Sequence, residues 1–386
     1  MPLIFVLLLP FAIVVNSLFK LLKSLDHRVD GSSTPNPQGH YWLGLNYLLS
    51  EQPDKAMDAL IKAIEIDSST IETHLALGVL FRKHGEVERA IRLHQNLAAR
   101  PQLTRVQRVE TLLELGKDYL SAGMLDRAEG LFLEVIQLKS GVETALQHLL
   151  QIYQQEKSWH KAIATAERLF SQKSQHYIRV TLGHYHCELA ELAIQKGSIF
   201  EAQHYIKQAI NIDPNSVRAN LLLAKLHENL QNYKAALQAY KCIEHQDPLF
   251  IGEAIPGLLS CYRQLKAERA GYEYIRSCYD KYQQVSLLLA MVNYLQGQNN
   301  PELACQALYG HLQRHPSFTL ISEVLKLKLS QEVSRDPDFS NLLEVMAKLR
   351  VKQPNYRCEK CGFASKTLLW LCPSCRVWNT IKPILN

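Results

Sequence analysis

Apolar positions recur along this chain with a helical period, and small residues recur with a much longer one. Ala56, Ala90, Ala128, Ala162, Ala202, Ala236, Ala270 and Ala304 stand 34, 38, 34, 40, 34, 34 and 34 residues apart, each inside a segment of helical periodicity. Thirteen residues before them stand Leu43, Leu77, Leu115, Leu149, Leu189, Leu223, Gly257 and Met291, so a large apolar residue is kept in seven of eight units. The pattern predicts a pair of helices repeated eight times between Pro37 and Pro316. The small residue lets the second helix lie close against the first, and the large one fills the seam. Gly44, Gly78 and Gly116, twelve residues before their alanines, permit the same approach. Pro214, Pro248 and Pro316, twelve residues after theirs, stop a helix by removing a donor and clashing with the preceding turn. The two longer spacings place insertions of four and six residues around Arg100 to Arg105 and Ser171 to Tyr177. Both are expected to be turn and loop, the second a hinge between two sub-arrays.

A 34-residue helix-turn-helix unit of this kind resembles the tetratricopeptide repeat. The site four positions before the glycine, often aromatic in that family, holds His40, His74, Leu112, Leu146, His186, Asn220, Ala254 and Leu288 instead. The resemblance implies an all-α superhelical solenoid whose extended concave surface binds protein. In that geometry, residues one and four places after the glycine tend to face the groove, which nominates Arg82 and Lys117 as contacts for an acidic partner surface. Phe318 to Leu329 and Phe339 to Arg350, divided by the polar SQEVSRDPD, read as a last helical pair within residues 317–353 that caps the stack.

Ahead of the repeats, Leu3 to Phe19 is an uncharged apolar run, extended to Leu22 if Lys20 turns its amine toward headgroups. About twenty residues at ~1.5 Å each make ~30 Å, the thickness of a bilayer's hydrocarbon core. Residues 1–22 are therefore expected to be a transmembrane helix. A cleaved signal peptide is the competing reading, but no basic residue precedes the run and no small-x-small site follows. Lys20, Lys23 and Arg28 all come after it, which by the positive-inside rule puts the body of the protein in the cytoplasm. Residues 23–36, rich in turn formers, read as a tether.

Composition adds two things. With 47% hydrophobic and 8% aromatic residues the chain is no disordered protein. Its formal charge of +6 is concentrated at one end, since residues 350–386 hold seven basic residues and Glu359 alone on the acidic side.

That end carries the strongest chemical motif. Cys358, Cys361, Cys372 and Cys375 form two C-x2-C knuckles separated by ten residues. Four thiolates on a short hairpin suit a tetrahedral ion, zinc or rubredoxin-type iron. The alternative is disulfides, disfavoured on a reducing cytoplasmic side. A tail of residues 354–386 cannot bury enough surface to fold alone, so the one metal ion is read as structural. Phe363, Leu369, Trp370 and Trp378 exceed what so small a hairpin covers, so some of them are expected to pack on the repeats. Gly362 follows the first knuckle, whereas Arg376 follows the second, a departure from the paired glycines of rubredoxins. Cys187, Cys242, Cys261, Cys278 and Cys305 read as small core residues. His184, His186 and Cys187 tempt a metal reading, yet residues two apart on a helix diverge by ~200°. No P-loop, H-E-x-x-H, G-x-S-x-G or G-x-G-x-x-G is present, and no enzyme is expected.

Anchor, repeats and four-cysteine hairpin together resemble the lipopolysaccharide assembly protein B family of Gram-negative bacteria. The stretches that carry this are NYLLSEQPDKA at Asn46 to Ala56, LGVLFRKHGEVERAIRLHQ at Leu77 to Gln95, and YRCEKCGF with LWLCPSCRVWNTIKPI at the end. The resemblance implies a non-enzymatic inner-membrane adaptor that limits lipid A synthesis by bringing the LpxC deacetylase to the FtsH membrane protease. It also implies a further inner-membrane regulator as partner, a rubredoxin-like tail folded onto the repeats, and Cys358, Cys361, Cys372 and Cys375 as ligands. Copy number, including a homo-oligomer, stays open. A membrane-tethered scaffold with a nucleic-acid-binding tail is the competing class, because a basic hairpin with exposed aromatics could stack on bases. Membrane attachment disfavours it.

Overall fold

The computed structural model describes residues 37–50, 52–67, 70–172, 176–331, 344–346, 348 and 353–384. The expected anchor at 1–22, the tether at 23–36 and most of the second helix of the terminal pair lie outside them. Among the described residues no helix is long and apolar enough to cross a membrane.

The helices come in antiparallel pairs. They are α1 (Pro37–Leu49) and α2 (Pro53–Ile66), α3 (Ile71–Lys83) and α4 (Val87–Ala98), α5 (Arg105–Ser121) and α6 (Leu125–Gln137), α7 (Val142–Gln155) and α8 (Trp159–Gln172). There follow α9 (His176–Gln195) and α10 (Ile199–Ile212), α11 (Val217–Asn229) and α12 (Tyr233–Gln246), α13 (Ile251–Gln264) and α14 (Glu268–Tyr282), α15 (Val285–Gly297) and α16 (Pro301–Leu312), and then α17 (Phe318–Gln331). The chain divides into two compact units, residues 1–145 and 146–386, with the division inside α7. This is a tetratricopeptide solenoid whose last described element is a small sheet.

The small-residue ladder is the seam of the pairs. Ala56, Ala90, Ala128, Ala162, Ala202, Ala236 and Ala304 are wholly buried. The glycines opposite them leave no room for a methyl group: a Cβ on Gly78 would sit 2.3 Å from the His94 ring, and one on Gly116 2.6 Å from the Phe132 ring. From the second pair onward, each turns through a left-handed residue five places before its small residue. Gly85, Gly123 and Gly197 take that conformation without strain, while Lys157, Gln231 and Asn299 adopt it at φ 55–58°.

The seventh unit departs from the alanine spacing. Ala270 is exposed, and Gly271 takes its place in the seam with Tyr262 against it. Thirteen residues earlier, the buried seam residue is Leu258 rather than Gly257. The left-handed turn residue is Lys266, five places before Gly271, which fixes the shifted register independently. The extra residue lies in α13, which has 14 residues against 13 in α11, since the linkers before the two helices both have four. The linker before α13 forms a 3₁₀ turn at Pro248–Phe250 that sets the fully buried Phe250 between α12 and α13.

The first insertion is turn and coil over residues 99–104, as expected, and the helix after it is also long: α5 has 17 residues and α9 has 20, against 13 in α1, α3, α11 and α15. The start of α5 is fixed by a capping box in which Thr104 accepts from the Gln107 amide N–H and Gln107 caps the Thr104 N–H. The expected hinge at residues 171–177 falls partly on residues outside the described ones, and the division between units lies earlier, within α7.

In the tail, β1 (Tyr356–Cys358) is the central strand of an antiparallel sheet, between β2 (Ala364–Ser365) and β3 (Ile381–Pro383). A bridge between Leu371 and Trp378 closes the second knuckle.

The register shift is testable by chemical unfolding. Gly271→Leu is expected to cost ~1–3 kcal/mol by overpacking against Tyr262, whereas Ala270→Leu, on the exposed side, should stay within ~0.5 kcal/mol. The reverse order would restore the unshifted alanine register.

Candidate metal centre and its docking face

The sheet brings the two knuckles together. The four sulfurs lie within 4.8 Å of one another, with Cys358 and Cys375 3.7 Å apart and Cys361 and Cys372 3.6 Å apart. A tetrahedral ion with ~2.3 Å bonds to sulfur requires ~3.8 Å between ligand atoms, so the donor set fits one such ion. Disulfides would need sulfurs ~2 Å apart. All nine cysteines are free thiols.

Both knuckles turn alike although their sequences differ. The amides of Gly362 and Arg376 each donate to the carbonyl of the first cysteine of their knuckle, Cys358 and Cys372, at 2.9 Å. Gly362 does so at φ 76° and Arg376 at φ 55°, the left-handed region that for arginine costs on the order of 1 kcal/mol. The arginine therefore reproduces the rubredoxin turn. Its guanidinium reaches Gln155 on α7, 3.4 Å away.

The thiols differ in environment. Burial opposes ionisation of Cys358, but the Thr380 hydroxyl and the amides of Cys361 and Lys360 outweigh it and lower the thiol to about 6. The Phe363 amide lowers Cys361. Cys372, fully buried, is pushed up by burial to about 11. Of the five remaining cysteines, Cys187, Cys261 and Cys278 are core residues as expected, Cys305 is half-buried, and Cys242 is exposed. Burial pushes Cys187 up to about 12, which leaves it an inert thiol.

Of the four surplus apolar side chains, Phe363 and Leu369 pack within the tail, on Cys358, Cys372 and Ile381. The two tryptophans turn outward from the hairpin and into the repeats. Trp378 stacks on the His184 ring of α9 at 4.8 Å and 16°. Trp159 of α8 and Tyr185 of α9 meet it edge-on. Its indole N–H donates to Gln154 Oε1 of α7 at 2.9 Å, and the same oxygen accepts from the Tyr185 hydroxyl at 3.0 Å. Trp370 stacks on Phe250 at 5.5 Å, against the residue that the 3₁₀ turn inserted. Two polar contacts extend the face: Lys382 pairs with Asp247 at 2.8 Å, and the Tyr356 hydroxyl donates to Glu253 of α13 at 2.6 Å. The tail is thus fastened to residues from Gln154 to Glu253.

His184 is part of this face and not a ligand. It is fully buried, and burial, with Arg218 and Lys382 nearby, holds it well below the usual histidine range, so it stacks as a neutral ring. Arg218 of α11 sits 5.7 Å from the Trp378 ring and is neutralised by Glu188 and Glu191 at 2.8 and 2.9 Å. His186 points elsewhere, toward Tyr205. The two histidines diverge as helical geometry requires. What sequence reasoning missed was the partner for Trp378, since nothing in the spacing around His184 marks it as a seat for an indole 194 residues away.

Arg82 and Lys117 come together, but not as free charges. Arg82 donates to Glu114 and to Asp118, both at 2.6 Å, and Lys117 pairs with Glu114 at 2.6 Å. Asp118 is fully buried and also hydrogen-bonds His94, which is buried too. Arg82 is therefore the counter-ion of a buried carboxylate. Arg82→Glu is expected to lower unfolding stability by ~3–5 kcal/mol, because it leaves that carboxylate uncompensated, while Lys117→Glu, partly exposed, should cost ~1 kcal/mol or less. Chemical denaturation separates the two; equal effects would remove this role of Arg82.

Cys358→Ser or Cys372→Ser is expected to lose the stoichiometric ion in elemental analysis of the purified protein and to open the tail to protease. Trp378→Ala should keep the ion yet release the tail from α9, at a cost of ~3–5 kcal/mol. Retention of a full equivalent of metal by either serine variant would exclude that cysteine as a ligand.

Comparison with known proteins agrees with this construction. The sequence profile described as rubredoxin metal binding domain matches residues 356–383, and tetratricopeptide repeat profiles match residues 37–70, 73–107 and 187–248. Among solved structures, the C-terminal part of a tetratricopeptide repeat-containing protein of Cytophaga hutchinsonii is similar at 17% identity and a TM-score of 0.47, over 62% of this chain and 92% of that one. Lipopolysaccharide assembly protein B of Escherichia coli K12 is 36% identical over 346 residues, 89% of each chain. Its namesake in Haemophilus influenzae is 33% identical over 356 residues, 90% of this chain and 89% of that one. With this identity running through nearly the whole of both relatives, the chain belongs to the lipopolysaccharide assembly protein B family.

Proposed function

We propose that this protein is a non-enzymatic adaptor of the inner membrane that regulates lipopolysaccharide synthesis by presenting the LpxC deacetylase to the FtsH protease. Membership of the lipopolysaccharide assembly protein B family carries the reading. The architecture supports it: paired helices give an extended protein-binding surface, and the only cluster of metal-ligating type among the described residues is the four-cysteine centre. In this proposal residues 1–22 anchor the chain, 23–36 tether it, 37–316 form the repeats, 317–353 the terminal pair and 354–386 the metal-binding tail, all beyond the anchor facing the cytoplasm. Tethering would raise the effective concentration of the array at a membrane protease and at other inner-membrane regulators.

Cys358, Cys361, Cys372 and Cys375 are proposed to hold one structural iron or zinc ion. Such an ion, when bound, cross-links the two knuckles. The chain's own residues do the rest: Trp378 and Trp370 hold the hairpin on the second unit, so the tail and residues 154–253 act as one binding element. The nucleic-acid reading loses its support here, because both tryptophans are stacked on protein and not free for bases. Lys117, with part of its surface open, remains the better placed of the two nominated partner contacts.

The half-life of the deacetylase, measured after translation is blocked, is expected to lengthen severalfold in cells lacking this protein. It should lengthen equally in cells whose only copy lacks residues 1–22, although that variant still folds. An unchanged half-life in both strains would discard the adaptor reading, and digestion of residues beyond Asp26 by protease added to intact spheroplasts would discard the topology.

A further inference from the structure

Helix α1 departs from the other helices of its unit in one respect that the adaptor reading does not use. Its sequence, PQGHYWLGLNYLL, contains no Asp, Glu, Lys or Arg, whereas α2 to α6 each carry at least three such residues. Its outward face sets large apolar side chains beside the uncharged Gln38, Asn46 and Ser50. Leu49 is 85% exposed and Trp42 67% exposed. The position of Leu49, seven before the seam residue, is polar or glycine in every other unit, from Lys83 and Ser121 to Gln264 and Gly297, so the first unit alone places a large apolar residue there. Leu43 is 39% exposed, while its equivalents Leu77 and Leu115 are 4% and 5% exposed. A soluble helix end is normally kept polar, and a Leu and a Trp two turns apart on an uncharged helix are apolar surface that no other described residue covers.

The composition and the chain's length together select the occupant. A bilayer interface accepts Trp and Tyr rings at headgroup depth together with Leu and with neutral polar side chains such as Gln38, Asn46 and Ser50 interspersed among them. Fourteen residues separate Leu22 from Pro37. They reach ~50 Å fully extended and average ~20 Å as a flexible chain. Helix α1 is the one that this linkage joins directly. A specific protein contact would be expected to use charge pairs for register, and α1 has none to offer.

We propose that α1 is a second membrane contact, an uncharged interfacial helix that rests on the lipid headgroup boundary through Trp42 and Leu49. The inference rests on the anchor reading for residues 1–22 and adds to it a surface of the folded array.

The test uses the full-length protein reconstituted into phosphatidylcholine and phosphatidylglycerol vesicles brominated near the headgroup end of the acyl chains. Flotation of the vesicles reports the anchor, and quenching of tryptophan emission reports the depth of Trp42. Wild-type emission is expected to be quenched, and Trp42→Phe should lose about half or more of the quenchable signal, because Trp159 and Trp378 are buried and Trp370 is stacked on Phe250. Leu49→Lys should reduce the quenching roughly twofold or more without changing the unfolding temperature, since its side chain has little packing to lose. Floating protein whose wild-type and Trp42→Phe forms quench alike overturns the interfacial contact and leaves the anchor standing. Blue-shifted Trp42 emission that bromine does not quench, and that shifts red on dilution, would put a second copy on α1 and likewise overturn it. Protein that fails to float removes the anchor and this contact together.

Discussion

Every helix pair depends on two backbones coming close enough that a single methyl group is the most the seam admits. At this distance the large apolar residue of the first helix and the small residue of the second leave no gap, and neither helix could bury that stripe alone. Seven of the seam alanines have no exposed surface, and glycines across from them face rings at distances a Cβ would not survive. The seventh unit shows how strict this constraint is. When α13 takes one residue more than α11, the chain shifts its register by one and uses Leu258 with Gly271, keeping the seam and abandoning the alanine.

The 3₁₀ turn just before α13 serves the tail. Phe250, inserted by the 3₁₀ turn, is the platform on which Trp370 stacks, and Asp247 at the start of the turn pairs with Lys382. Helix α9 contributes as well, carrying His184 and Tyr185 to Trp378. The 3₁₀ turn of the repeat therefore falls where the hairpin is fastened. The hairpin in turn exposes on its own more aromatic surface than a ~30-residue fold can cover, so its fold and its docking are one problem with one solution. A neutral His184 suits this interface, because a charged ring beside Arg218 would have to be buried without a counter-ion.

Electrostatics plays different parts in the two units. In the first, Arg82 pairs with the fully buried Asp118 and His94 hydrogen-bonds it, so this charged cluster is the inside of a repeat. In the second, Arg218 is held by Glu188 and Glu191 beside an indole, where a weakly hydrated guanidinium is more easily accommodated than an ammonium. Both clusters are satisfied internally, which leaves the partner surface to groups with less to lose.

The period of the small residues was enough to determine the helix pairs, and the two C-x2-C knuckles were enough to determine the tetrahedral donor set, because both are local patterns with a fixed geometric meaning. The surplus of Trp370 and Trp378 even announced that the hairpin packs on the repeats. Only the tertiary structure decided where. The seat of Trp378 on His184, the role of Arg82 toward Asp118, the exposure of Ala270 and the lengths of α5 and α9 all depend on which side chains meet across many turns of chain. Residue spacing specifies a helix face, but whether that face meets solvent, a buried carboxylate or an indole is settled by the packing of elements distant in sequence.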